Sequence, residues 1–241
     1  MDTKTNESEI LQRLLLQPLQ SPFYKQLDSI GNDFYKVIQY GNEHVIEDSF
    51  TQAIINLVGV QYFIGIAPIN QVYLGLHLAK ELGQEYMYSV MLRAMTELVA
   101  RVHKVVRLYQ VFQKDNDVEN LLNKSNRLLK HYVKSDTQDE NVVPLTGFNV
   151  MTLVKSLRDR IPEIEEKYDD LSTYFHGELT THQSYRKMTH FQQLAGQELS
   201  AISIHDEFVN KLLDVLIMDL MFVHEIVRPL IDRYEKKHIE D

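Results

Sequence analysis

Apolar residues recur along most of this chain at intervals of three and four, the spacing that places them on one face of a helix. Between Asn6 and Leu19, the positions Ile10, Leu11, Leu14, Leu15 and Leu19 predict a short amphipathic helix ending around Pro18. After Ser21-Pro22 the pattern resumes at Phe23, Leu27, Ile30, Phe34, Val37 and Ile38 as far as Gly41, a second helix. The run FTQAIINLVGVQYFIGI, within 46–66, is apolar nearly all round. Such a run is either a membrane span or a helix buried on every side, and burial is expected here. Asn56 and Gln61 are awkward in lipid, Pro68 is expected to interrupt the run, and no basic cluster marks a flank.

Further helices are predicted over 71–82, 85–114, 118–134 and 150–160. Asp115-Asn116-Asp117 serves as the stop of one and the cap of the next, and Leu121, Leu122, Leu128, Leu129 and Tyr132 give 118–134 its inner face. Residues 135–149 read as a polar loop with Pro and Gly. Pro162, followed by Glu163, Glu165 and Glu166, reads as a first-turn proline with dipole-favoured carboxylates, opening a helix to His176 that stops at Gly177. Periodicity is weak over 177–204, read as loops with one short helix at most. Ser203 or Asp206 is expected to cap a last helix reaching about Lys236, bent near Pro229.

No strand-like alternation and no internal repeat is present. The expectation is an all-α fold, a bundle of long antiparallel helices with short satellites. It forms a single domain over 1–241: N-terminal helices (1–45) pack on a main bundle (46–134 and 150–236) interrupted by the 135–149 loop.

Composition agrees with this pattern. Nine Gly and six Pro in 241 residues are too few for a turn-rich all-β chain, and 44% hydrophobic residues suffice for a sizeable core. The absence of cysteine excludes disulfides, thiolate nucleophiles and Cys-bound metal. The acidic, polar start MDTKTNESEILQRLL lacks the pattern of a secretory signal, so a cytoplasmic location away from the membrane is expected. The net charge of −9 is uneven. Residues 71–134 carry 10 basic side chains against 6 acidic ones, whereas both flanks are net acidic. Any affinity for a phosphate backbone therefore belongs to this middle third.

Two polar stripes stand out against their apolar setting. In VMLRAMTELVA, Arg93 and Glu97 are four apart and share a face; in YDDLSTYFHG, Tyr168, Ser172 and His176 follow the same interval. Buried polar groups need partners, so the stripes are expected to face each other in an Arg–Glu–Tyr–Ser–His network. If the network is catalytic it needs no metal. His176 would move a proton, Arg93 would stabilise charge on a phosphate, Tyr168 or Ser172 would orient the scissile group, and Glu97 would hold Arg93 or His176. The other reading is structural: the same groups satisfy one another and fix helix register.

These residues, with Leu171 and Gly177, resemble a group of bacterial all-α proteins with an Arg-x3-Glu helix and a later Tyr-x2-Leu-Ser-x3-His-Gly helix. That group is similar in architecture to the HEPN-like helical domains of toxin–antitoxin and abortive-infection systems. The resemblance covers about 70–180 and implies a defence protein that binds or cleaves RNA as a metal-independent endoribonuclease. The usual HEPN signature, Arg and His separated by four to six residues, is not matched: Arg127 to His131 and Arg186 to His190 have three between them.

Other signals are weaker. Lys124, Arg127, His131 and Lys134 share one face of 118–134, and Arg101, Lys104 and Arg107 form a second basic group; together they are candidates for RNA backbone contact or for an ordinary solvated face. Tyr109 and Tyr132 are the few aromatic residues among them. Ten histidines include no His-x3-His or His-Glu-x2-His pair, so neither metal nor cofactor is expected. Glu225, Arg228 and Asp232 read as a surface charge group beside His224. Tyr86, Met87, Tyr88, Met91 and Met95, with Met218, Met221 and Phe222, read as core, or as an interface with another helix. The all-round apolar helix also favours a homodimer. The two function classes in play are an RNA-acting effector and a non-catalytic module that binds a protein partner, such as an antitoxin.

Overall fold

In the computed structural model the described residues are 16, 18–133, 150–176 and 199–240, without the side chains of 85, 130–133, 173–176, 199–205 and 238–240. The expected helix at 6–19 and the expected loops at 135–149 and 177–204 therefore lie largely outside them; where the last of these is described, 199–204 is not loop but the start of the last helix. The fold is all-α, with no strand among the described residues.

Side chains set most helix ends. Helix α1, Pro22–Glu43, starts where the Ser21 hydroxyl accepts from the Tyr24 backbone N–H at 3.1 Å, with Pro22 in the first turn. Helix α2, Ser49–Gln61, is capped by the Asp48 carboxylate, which accepts from Thr51 N–H at 2.7 Å. A single π turn, Tyr62–Ile66, then leads without a break into α3, Ala67–Glu81. Pro68 thus does not interrupt the apolar run, contrary to expectation. Its ring lacks an N–H and crowds the carbonyl one turn back, and the wider π turn just ahead of it gives the backbone room.

Gly83, at φ +62°, closes α3. Helix α4, Glu85–Asp115, ends on Asn116 in the left-handed region, and Asp117 accepts from Asn120 N–H at 2.9 Å to open α5, Val118–Val133. The predicted stop and cap are both in place. The helix expected over 150–160 is α6, Val150–Lys155, followed by turns. Helix α7, Ile164–His176, begins two residues beyond Pro162, which lies ahead of the helix and not in its first turn. The last helix, α8, runs from Leu199 to Glu240, so Ser203 and Asp206 lie within it and not at its start.

Helix α4 is the axis of the bundle. It packs on α3, α6, α7 and α8, while α5 lies chiefly on α2 and α1 on α8. Leu92, Met95, Val99, Ala100 and Val102 of α4 are fully buried, in one core with Phe34, Val58, Leu157, Leu212 and Leu220. Burial of this kind is the main favourable term in folding.

The 33-residue run Ser49–Glu81 is long and apolar enough to cross a membrane, and 67% of its most apolar window is buried inside the bundle. Two glycines let helices meet closely: a Cβ on Gly65 would lie 2.6 Å from Val102 Cγ2, and one on Gly41 would lie 2.6 Å from Ile55 Cγ2. The methionine positions divide. Tyr88 and Met95 are core, whereas Met87, Met218 and Met221 are about half exposed.

Candidate functional site

The two polar stripes meet. Helices α4 and α7 pack against each other, and at their junction the Tyr168 phenol donates to Glu97 Oε1 at 2.7 Å. Arg93 Nε lies 3.3 Å from both Glu97 Oε1 and the Tyr168 oxygen, and its guanidinium carbon sits 5.4 Å from the centre of the Tyr168 ring. Arg101, one turn beyond Glu97, places Nη2 3.9 Å from the other carboxylate oxygen. Tyr168 is buried, whereas the Arg93 and Glu97 side chains keep 23% and 22% of their surface in solvent.

The electrostatics define what each group can do. Burial raises the Tyr168 pKa, the hydrogen bond to Glu97 adds to that, and the opposing pull of Arg93 does not cancel it. The phenol therefore keeps its proton at neutral pH and acts as a donor. For Arg93, burial disfavours the charge, but its hydrogen bonds and attraction to Tyr168 and Glu97 prevail, and its pKa is raised. The result is a fixed, permanently charged guanidinium at a helix junction.

One turn along α7, the Ser172 hydroxyl oxygen is buried with no hydrogen-bond partner among the described residues. His176 is the last residue of α7, and its imidazole lies outside the described side chains. Four of the five network residues are thus placed along one junction, three of them in mutual contact.

The basic residues are dispersed. Arg101 turns to Glu97, and Arg107 Nη2 binds Asp159 at 2.7 Å on the connection between α6 and α7. Lys104, also on α4, is half-buried. Lys124 and Arg127 are exposed on α5, the helix that packs chiefly on α2. The side chain of His131 and all of Lys134 lie outside the described residues, as does the Tyr132 ring.

Sequence reasoning missed a second polar pairing. His103 Nδ1 donates to Asp219 Oδ2 at 2.8 Å between α4 and α8, with both side chains almost fully buried. The other ring nitrogen, Nε2, accepts from Arg107 Nε at 3.3 Å, so one line runs from the buried Asp219–His103 pair out through Arg107 to the exposed Asp159. Acceptance at Nε2 fixes the tautomer with its hydrogen on Nδ1. The available signal was the lone Asp219 inside LIMDLMFV, an acid on an apolar face that needs a partner. His224 likewise binds Asp33 on α1 at 2.8 Å. Among the described residues no group of three or more acidic or His side chains could hold a metal ion.

No known family model matches this chain, and no match was found among curated proteins or solved structures.

Proposed function

We propose that this chain is a HEPN-like helical effector of a bacterial defence or toxin–antitoxin type system, acting on RNA in the cytoplasm through the junction of α4 and α7. The observation that carries this reading is the convergence of Arg93, Glu97 and Tyr168, with the buried Ser172 hydroxyl one turn away and without a hydrogen-bond partner among the described residues. In this reading Arg93, held by Glu97 and the Tyr168 ring, offers its remaining surface to a phosphate. Ser172 positions the reacting group, and His176 moves the proton. A homodimer is part of the proposal, formed through the exposed apolar residues Leu78, Leu82 and Met87 around the α3–α4 turn.

The test is to incubate wild-type and His176→Ala protein with total RNA in EDTA, with melting curves in parallel. Cleavage by wild type alone, with both proteins folded, is the expected result. Absence of cleavage by wild type at low and moderate salt overturns the ribonuclease reading.

A second reading has its own support. Glu97 accepts from both Arg93 and Tyr168, leaving the three groups satisfied by one another as a structural clasp would be. In that case the chain is a non-catalytic module for a protein partner, and substitutions in the cluster lower stability without touching any RNA activity.

A further inference from the structure

A second site lies between α3 and α8, in residues that the RNA reading does not use. Helices α3 and α8 both pack on α4 and leave between them a cleft of about 270 Å³. Its α3 wall carries Tyr73, His77 and Lys80, its α8 wall carries Asp206 and Asn210, and Tyr88 of α4 also lines it. On each wall the residues follow helical spacing, so each presents a single stripe to the cleft. Lys80 Nζ reaches both Asp206 carboxylate oxygens, at 2.8 and 2.6 Å, and links one wall to the other.

The chemistry of the lining restricts the ligand. Lys80 and Asp206 neutralise each other, so a phosphate or carboxylate gains no net attraction and meets the Asp206 charge. That favours an uncharged molecule. Its polar edge has waiting partners: the buried His77 Nε2 has no hydrogen-bond partner among the described residues, and the Asn210 amide supplies both a donor and an acceptor. Burial and the neighbouring Asp206, to which it is hydrogen-bonded, hold the Tyr88 phenol well above its usual pKa, so it keeps its proton. Leu76, Val209 and Leu213 complete the walls with apolar surface suited to the faces of a flat ring. Tyr73 is braced at one end by its hydroxyl on Ser21, at 3.3 Å, and by the Phe23 ring, 4.8 Å away between centres.

We propose that this cleft binds an uncharged planar heteroaromatic of nucleobase class, its donor–acceptor edge read by His77 and Asn210 and its faces held between the apolar residues of α3 and α8. The shared chemistry has two sources, a free nucleoside or an unstacked base of single-stranded RNA.

The experiment titrates the full-length protein calorimetrically with adenosine, guanosine, cytidine and uridine, and with a short single-stranded RNA and its abasic counterpart. The expected result is saturable binding of at least one nucleoside, or of the RNA but not its abasic form. Either is to be weakened roughly tenfold in Asn210→Leu, the weight of a hydrogen bond. Asn210 is exposed, so that variant is expected to fold; His77→Phe, checked by circular dichroism, gives an independent loss. Binding of free nucleosides assigns the cleft to a small molecule, and binding of the RNA alone assigns it to an RNA base. The proposal is overturned if none of these probes binds wild type, or if Asn210→Leu binds as tightly as wild type. Neither result bears on cleavage at Arg93, which the EDTA assay reads separately.

Discussion

Tyr168 and Glu97, 71 residues apart, share one hydrogen across the junction of α4 and α7, with the phenol oxygen 2.7 Å from the carboxylate. The phenol is buried, and its ring also carries the Arg93 guanidinium. Tyr168→Phe keeps the ring and removes only the donor. It is expected to cost about 1 kcal/mol, the net worth of one hydrogen bond, because Glu97 is only part-buried and keeps Arg93 as a partner. Urea denaturation measures it, and an unchanged midpoint would mean that the bond adds nothing to the junction.

Ser172 separates the two readings of the network. Its hydroxyl oxygen is buried with no hydrogen-bond partner among the described residues, so Ser172→Ala removes a desolvated polar group that they leave unsatisfied. Stability is expected to be unchanged or slightly higher, within about 0.5 kcal/mol of wild type or above it. Cleavage of RNA, if Ser172 positions the substrate, falls in the same variant. A drop in melting temperature instead would place Ser172 in the structural framework.

His103 and Asp219 form a pair whose members cannot be removed singly without loss. Asp219→Ala leaves the buried Nδ1–H without an acceptor, at a cost of roughly 1–3 kcal/mol. Replacing both with leucine restores part of it, because no orphaned group then remains. A double-mutant cycle by chemical denaturation checks this, and strict additivity would refute the coupling.

Acid stability has an identifiable contributor. Burial pushes the Asp33 carboxyl up, but hydrogen bonds from His224 and Lys36, with their charges, outweigh it, and its pKa lies below the ordinary 3.8. With the folded pKa depressed, the unfolded chain takes up the proton first as pH falls. The contribution is therefore complete above pH 3.8 and is lost as pH drops from there through the folded value. In Asp33→Asn that part of the acid limb flattens. Melting temperatures of the two proteins between neutral pH and pH 3 are expected to converge toward the acid end; a constant gap would exclude Asp33 as the titrating group.

The sequence made the helices legible because apolar spacing is a local property, and it made Arg93, Glu97, Tyr168 and Ser172 legible because each pair falls on one face of its own helix. Other features depend on which helices become neighbours, and periodicity does not encode that. Nothing in the spacing of α4 singles out His103; its partner Asp219 lies 116 residues away and meets it only through the packing of α4 on α8. The cleft residues His77 and Asp206 carry no mutual signal, because their helices are brought together only by packing on α4. Pro68 misled for a different reason: a proline breaks an α-helix, but the chain can widen one turn and continue.

That widened turn also sets phase. In an α-helix each residue advances the side-chain direction by about 100°, and the π turn at Tyr62–Ile66 accommodates one residue more than an unbroken α-helix would. Everything downstream in α3 is clocked from that point. Deleting a single residue there, such as the half-exposed Phe63, would let the run close into ordinary helix and rotate Tyr73, His77 and Lys80 together by about 100°. Lys80 would then no longer reach Asp206, although α3 itself would keep every residue it has now.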